Sequence, residues 1–440
     1  MKTEEDRRGA ATSLGVERYF MTGISSTAAR SPATATGQRR TEQLLTLMGS
    51  PQNDLRVVHV AGTAGKGSVS TFIASILRAQ GFRVGTYLSP HVHSVFERFQ
   101  IDARPAPEEH LAAALRIVRD GERRLDPTQF GRVTMFEAAT ATSFQLFRDQ
   151  KVDYAVIETG IGGLHDATNT VSRSDKLAVL TTIGLDHTEV LGPTVIEIAR
   201  QKAGIFPAGG AAIALRGGAS VDKVIRAEGR RRQCAVDHLA PAHAADLLPA
   251  GVVLGLPGRH QRVNAGLALR AVRHLADRDG WSLRLGRSTA GLAGARLPGR
   301  FERRRWHGRH VVLDGAHNEI KLAALACAVR DEWPDRAPIW VLTFKPDKNV
   351  DDAMKAIAPS AGRIFATQFD SDGTNQGRGH ALAASEVAAA AQRAAIDAVE
   401  TYPSIGDALR AAIELSDSEV PVIVTGSFFA VADAGKVMTT

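Results

Sequence analysis

The sequence predicts an α/β protein of two doubly wound units: a first with a mostly parallel sheet built around a phosphate-loop turn, and a smaller, Rossmann-like second. Three observations predict it. Short runs that are apolar on both faces alternate with helical patterns over 57–215, the signature of buried parallel strands and their crossover helices. The same alternation resumes over 310–427. Between the first strand and the first helix lies a glycine-rich turn, in "VVHVAGTAGKGSVSTFIASIL" (57–77). At 440 residues the chain exceeds one ordinary core. The expected segments are a poorly patterned lead-in (1–40), a large domain (41–295) and a smaller one (296–440), with "ARLPGR" as linker.

Taken in order, "ISSTAARSPATATG" (24–37) reads as a loop. The strands of the first unit are VVHV (57–60), VGTYL (84–88), VDYAVIET (152–159), KLAVLTTI (176–183) and AAIAL (211–215), each short and bounded by turns. Val69, Phe72, Ile73, Ile76 and Leu77 recur at helical spacing after the glycine turn. Thr194-Val-Ile-Glu197 is a capping box that opens another helix. The stretch 216–300 reads as irregular and loop-rich, with one helix over 261–278. The second unit follows as HVVLD (310–314), a helix near 318–332, IWVLT (339–343), a helix near 350–358, RIFAT (363–367), further helices, and PVIVTGS (421–427).

Composition narrows the class. With 44% apolar and 23% charged residues the chain is globular rather than disordered. No apolar stretch approaches a bilayer span, the N-terminus has no apolar h-region, and Cys234 and Cys327 show neither metal nor disulfide spacing. A cytoplasmic enzyme with no membrane association is the expectation. Lys and Arg outnumber Asp and Glu, 54 to 47, with dense runs at 226–232 and 300–309. Aromatics at 5% and the absence of a base-reading motif argue against nucleic acid; a solvated face, or attraction for polyanionic small substrates, is the better reading.

Gly62-Thr63-Ala64-Gly65-Lys66-Gly67-Ser68 suits an anion. Glycines let backbone N–H groups converge, and the helix N-terminus adds its positive end. Lys66 supplies a charge to the outer phosphates and Ser68 a hydroxyl near a magnesium ion. The motif is shorter than G-x-x-x-x-G-K-[ST], so its strand–turn–helix setting carries the reading. In an open parallel sheet the ligand crevice lies at the carboxyl ends of the strands. Ser89, Glu158 and Asp186-His187 all follow strand ends and can converge on a cation bridging phosphates. Singly, Glu158 also reads as an ion-pair partner and His187 as a helix cap.

These motifs resemble the folylpolyglutamate synthase/dihydrofolate synthase family of ATP-dependent Mur-type ligases. Eight segments carry the resemblance in the family's order: "HVAGTAGKGSVS", "GTYLSPHVHSVFERFQI", "VDYAVIETGIGGLHDATNTV", "TTIGLDHTEVLGPTVIEIARQKAGIF", "LPGRHQRVNAGLAL", "LPGRFE", "LDGAHN" and "VTGSFF". The resemblance implies an N-terminal P-loop-type ATPase domain and a Rossmann-like C-terminal ligase domain. It implies that ATP phosphorylates the carboxylate of dihydropteroate or of a folate tail, and that L-glutamate's amine attacks the acyl phosphate. Two magnesium ions are implied, with potassium as an option. Gly62, Thr63, Gly65, Lys66, Gly67 and Ser68 then hold phosphates; Ser68, Ser89 and Glu158 face one magnesium and His187 the other. Lys202 matches a lysine carbamylated in the family; apart from that match it reads as a helix-end lysine.

On the same grounds Asn264 is adenine-side, Arg300 contacts phosphate, Asp314 binds ribose, and His317 sits near the γ-phosphate and glutamate. The resemblance puts the boundary near 295 across the ATP site, so that closure completes the site and expels water from the acyl phosphate. Arg98 and Ser427 match glutamate-side positions; Thr134, Phe136 and Asp166 match positions used for dihydropteroate. A monomer with small-molecule substrates only is the default. The sequence departs from the family pattern at Ala64 (usually Asn), at Leu164 (usually Arg), in "DGAHNEI" and in "KPDKNV". These leave Lys66, Glu158, His187 and Lys202 in place and bear on substrate identity. The alternatives are a related ligase for another amino acid or acid acceptor, a simple phosphate-loop NTPase, and a non-catalytic nucleotide-binding relative.

Overall fold

A computed structural model describes residues 15–20, 34–370 and 379–439. Most of the expected loop over 24–37 and of the lead-in lies outside the described residues, and the described end of that loop is helical from Ala35. The chain groups into two units. One holds the residues up to Gly255 with Arg262–Ala295; the other holds Leu256–Gln261 with Arg296 onward.

The first unit carries an eight-stranded sheet: β1 (Val57–Ala61), β2 (Val84–Tyr87), β3 (Phe99–Ile101), β4 (Arg104–Pro105), β5 (Tyr154–Glu158), β6 (Leu177–Leu180), β7 (Ala211–Leu215) and β8 (Ala235–Leu239). Their spatial order is β4-β3-β2-β5-β1-β6-β7-β8. β2 to β8 by way of β5, β1, β6 and β7 are parallel, while β3 and β4 add an antiparallel edge. Every residue of β1, β2, β5 and β6 is buried, which is why these runs read as apolar on both faces. The short edge was not legible: Phe99–Ile101 and Arg104–Pro105 are too brief to show a period.

Residues 216–300 are more ordered than their composition suggests. They form a helix at Ala219–Arg231, β8, and helices at Pro241–Asp246, Arg259–Asp279 and Leu285–Gly294. The basic run "RAEGRRR" conceals the first helix. Its inward side is Val221 and Ile225, and Glu228 ties down Arg231 (2.5 Å) and Arg232 (2.6 Å). At the other end, the helix Ala35–Leu47 starts inside the expected lead-in, because the Thr34 hydroxyl caps the Gly37 amide (3.1 Å).

The second unit holds a six-stranded sheet: β9 (Glu302–Trp306), β10 (Arg309–Leu313), β11 (Ile339–Leu342), β12 (Arg363–Ala366), β13 (Val399–Thr401) and β14 (Val422–Thr425). The order is β13-β12-β11-β14-β10-β9, parallel throughout except for the β10–β9 pair. β9 lies at the edge and alternates half-buried with exposed positions, so "ERRRW" reads as a charge run rather than a strand. The core packs Trp340, Phe344, Met354 and Ile423 between sheet and helices.

Candidate active site

The glycine turn leaves β1 at the middle of its sheet, with β5 on one side and β6 on the other. It is clamped to the segment after β6. Thr63 N–H donates to the Thr182 carbonyl (2.8 Å), the Thr63 hydroxyl donates to Gly184 O (2.9 Å), and the Thr181 hydroxyl donates to Ala64 O (2.7 Å). Gly62 has φ +155°, and a Cβ there would lie 1.8 Å from Thr181 Oγ1, so only glycine fits. Gly65, at φ +88°, faces Asn264 at a spacing that would put a Cβ 2.7 Å from Oδ1. Two ammonium groups converge on one carbonyl: Lys66 Nζ (3.1 Å) and Lys202 Nζ (2.9 Å) both donate to Gly62 O. Lys202 is only 3% exposed, a strong departure from a solvated helix-end lysine. Gly62, Thr63, Gly65, Lys66, Lys202 and Asn264 therefore form one cluster, above a helix Lys66–Gln80 that buries Gly67 and Ser68 in its first turn.

The register of β1 with β5 sets Glu158 beside Val60, two residues before the turn. Glu158 is buried, and its Oε2 accepts the Ser89 N–H (3.0 Å). His187 takes a left-handed φ of +51° and precedes a one-turn helix, Thr188–Leu191. Its ring stands 3.9 Å from Asp186 and 3.8 Å from Glu189. Among the described residues no three His, Cys, Asp or Glu side chains converge as a self-sufficient metal cage. The donor set that is present, one buried carboxylate with hydroxyls and an imidazole, fits a hard cation that shares its shell with phosphate oxygens and water.

Behind Glu158 the chain turns at Gly160, against which Phe136 packs so closely that a Cβ would meet its ring at 2.5 Å. Phe136 lies in the first turn of the helix Met135–Asp149, capped by Thr134 in a capping box with Glu137. Glu137 is in turn held by the buried Arg40 through two contacts of 2.6 Å. The Phe136 ring lies 6.1 Å from that of Tyr87, whose hydroxyl burial pushes up to about 12. Arg98 lies near Tyr87, is 6% exposed, and donates to His91 Nδ1 (2.9 Å). Burial, helped by Arg98, drives the His91 imidazole down to about 3, so the ring is a neutral acceptor. Asp166 is 2% exposed. Its Oδ2 accepts the Gly160 and Ile161 amides (3.0 and 2.9 Å), and its Oδ1 accepts the Thr168 amide and hydroxyl (3.0 and 2.5 Å). Burial pushes its pKa up against the pull of those donors.

The second unit makes its own cluster, organised by Phe428, which sequence reasoning passed over. The Arg300 guanidinium lies 4.4 Å from the centre of the Phe428 ring. A Cβ on Gly315 would meet that ring at 2.4 Å, and the His317 ring is 6.3 Å away. Asp314 bridges two backbone amides, Phe301 (2.7 Å) and Ala316 (2.8 Å); burial raises its pKa and Arg300 opposes the rise. His317 Nε2 accepts from Lys321 Nζ (3.0 Å) and Nδ1 meets Gly315 O (2.8 Å). An acceptor Nε2 requires the proton on Nδ1. Ser427 caps the helix Phe428–Val437 through the Phe429 amide (3.2 Å). Arg300, Asp314, His317 and Ser427 are thus brought together here, and the signal for Phe428 was its place directly after "TGS".

A glycine-loop α/β unit followed by a smaller, mostly parallel-sheet unit is the architecture of a Mur-type ligase, and the family matches give that class. Residues 60–236 match the Mur ligase middle domain and residues 299–428 the Mur ligase glutamate ligase domain. The chain is 32% identical over 449 residues to the dihydrofolate synthase/folylpolyglutamate synthase of Mycobacterium tuberculosis, covering 91% of this chain and 89% of that one. It is 34% identical over 360 residues to the protein of that name from Bacillus subtilis, covering 76% and 81%. The structure of Mycobacterium tuberculosis folylpolyglutamate synthase complexed with ADP superposes with a TM-score of 0.85 at 30% identity, covering 98% of this chain and 99% of that one. The chain belongs to the folylpolyglutamate synthase/dihydrofolate synthase family. No helix among the described residues is long and apolar enough to cross a membrane.

Proposed function

We propose that this chain is an ATP-dependent carbon–nitrogen ligase that adds L-glutamate to dihydropteroate, to reduced folates, or to both, through an acyl phosphate. The single observation that carries the reading is the convergence of Lys66 and Lys202 on the Gly62 carbonyl, beneath a loop held open by two positive-φ glycines. In that arrangement Lys66 places a cationic charge, and the helix N-terminus its positive end, where a triphosphate's outer oxygens gain most from them, with the buried Lys202 terminus beside the same loop. The ADP named in the Mycobacterium tuberculosis complex supports the choice of nucleotide.

In this reading the loop from Gly62 to Ser68 orients the nucleotide, and Ser68, Ser89, Glu158 and His187 hold two magnesium ions, with potassium as an optional third cation. Magnesium held by these residues would supply charge neutralisation for the phosphoryl group in transfer. Lys202, carbamylated, presents a carboxylate to that site; its burial beside Gly62 supports a structural demand on its terminus. Asn264 serves the adenine, Arg300 a phosphate and Asp314 the ribose. Arg98, His317 and Ser427 take the entering glutamate, for whose carboxylates a guanidinium is the natural bidentate partner. Thr134, Phe136 and Asp166 line the acceptor side. The ligase works as a monomer on small molecules.

The test is coupled turnover. With magnesium and ATP, phosphate release should require both L-glutamate and a pteroate or folate acceptor. Release from ATP alone would favour a simple NTPase, and release only with another amine or acid would favour a ligase of different specificity. Leu164 and Ala64 make the acceptor panel the informative variable.

A further inference from the structure

One buried polar chain runs behind this site, and two of its members, His59 and Thr168, are used by none of the roles above. β1 is apolar except at His59, which is completely buried. His59 Nε2 lies 2.8 Å from Thr168 Oγ1, and Thr168 Oγ1 lies 2.5 Å from Asp166 Oδ1. The direction of the chain follows from counting protons. A carboxylate at so short a distance takes the hydroxyl proton of Thr168. The same hydroxyl must then accept from His59, so the imidazole carries its proton on Nε2 and leaves Nδ1 bare. Among the described residues Nδ1 has no hydrogen-bond partner, which agrees with a bare nitrogen that has no proton to donate. Burial, with Lys176 nearby, depresses the imidazole's basicity well below its ordinary value and keeps it neutral.

The far end of the chain is where it gains a use. Asp166 does not stop at Thr168: its other oxygen grips the amides of Gly160 and Ile161. Those residues form the turn directly after Glu158, on which Phe136 rests. His59 itself stands three positions before Gly62. The chain His59→Thr168→Asp166←Gly160/Ile161 therefore ties the strand that feeds the phosphate loop to the turn on the acceptor side of the site.

We propose that His59 and Thr168 are positioning residues for Asp166, fixing the carboxylate and the Gly160–Ile161 turn in the arrangement that receives the acceptor acid. This rests on the reading of Thr134, Phe136 and Asp166 as the acceptor side. A carboxylate with one donor missing in a buried site reorients or takes up a proton, and the turn then loses its anchor. The acceptor should feel that loss, whereas the nucleotide, held by the Gly62–Ser68 loop, should not.

The experiment compares T168V with T168S, and H59L with H59Q, in the full chain with ATP, magnesium, L-glutamate and a panel of pteroate and folate acceptors. T168V should raise the acceptor KM about tenfold or more, as expected for one buried charge-assisted hydrogen bond. The KM values for ATP and glutamate should stay within about twofold, inside the scatter of independent sites. T168S, which keeps the hydroxyl, should restore the acceptor KM, and H59Q, which keeps a donor, should lie closer to wild type than H59L. Equal kinetics for T168V and T168S, or a uniform rise in all three KM values, would overturn the proposal. So would loss of folding in both T168V and H59L, which would show a purely structural role. A wild-type protein that ignores every pteroate and folate acceptor would instead defeat the functional reading beneath it.

Discussion

Gly62→Ala is the sharpest test of how the phosphate loop is built. The added Cβ falls 1.8 Å from Thr181 Oγ1, 3.0 Å from Thr181 Cβ and 3.3 Å from the Thr181 backbone nitrogen. Rotating the hydroxyl away removes only the first contact, and it breaks the 2.7 Å bond to Ala64 O. The backbone itself must also leave φ +155°. A strained backbone costs about 1–3 kcal/mol and a lost hydrogen bond about 1 kcal/mol. We expect a loss of about 2–4 kcal/mol in urea unfolding, the sum of those two terms. Gly62 O is also the point where Lys66 and Lys202 meet. A shift of the loop by about an ångström should lower turnover, measured as coupled phosphate release, about 100-fold. T181A removes the clashing hydroxyl, so the G62A/T181A double variant should be about 1 kcal/mol more stable than the sum of the singles. Wild-type stability and turnover in G62A, or strict additivity in the double variant, would refute this account of the loop.

Lys66→Ala should leave urea unfolding nearly unchanged and cut kcat/KM for ATP by about 10²–10³, the usual cost of one preorganised charge donor; equal activity would remove Lys66 from the site. Arg40→Met strands the buried Glu137 carboxylate and should destabilise by about 3–5 kcal/mol, with part recovered in R40M/E137Q; denaturation midpoints of the wild type and these two variants decide it. Burial, joined by Arg232, holds the Lys176 ammonium down to about 8, against 10.5 in the unfolded chain. Between those values the unfolded state binds the extra proton, so the Lys176 contribution makes stability rise with pH, by about 3 kcal/mol across the window. Below pH 8 both states are charged and the penalty is constant. K176M should flatten that slope and be the more stable protein at pH 7; an unchanged slope would show that Lys176 is not the source.

Much of the fold was legible because the central strands have no polar side. Strands buried on both faces are mostly apolar, and β1, β2, β5, β6 and β14 announce themselves despite single buried polar residues such as His59 and Glu158. Strands at an edge obey the opposite rule. β9 alternates between half-buried and exposed, β8 is half-buried along most of its length, and over five residues so weak a pattern is lost in local charge. The helix Ala219–Arg231 was hidden for a related reason, since two apolar residues suffice to seat it and its arginines face outward. At the site, the residues proposed to hold a ligand stood out through motif spacing. Those that hold other side chains did not: Thr181 and Phe428 act through a partner distant in the chain, as Thr168 does toward His59, and no local pattern encodes such a pairing. His59 was the exception in principle, a lone polar residue in an apolar strand.

The helix that begins at Lys66 buries eleven consecutive residues, Gly67 to Leu77. On its far side Gly291 comes so near that a Cβ would sit 2.6 Å from the Ser75 carbonyl. A helix with no wet face leaves evolution almost nowhere to drift. Neutral change, which elsewhere accumulates on surfaces, must here be matched by a compensating change in a neighbour, so sequence divergence should bypass this segment and settle on the sheet's outer rim.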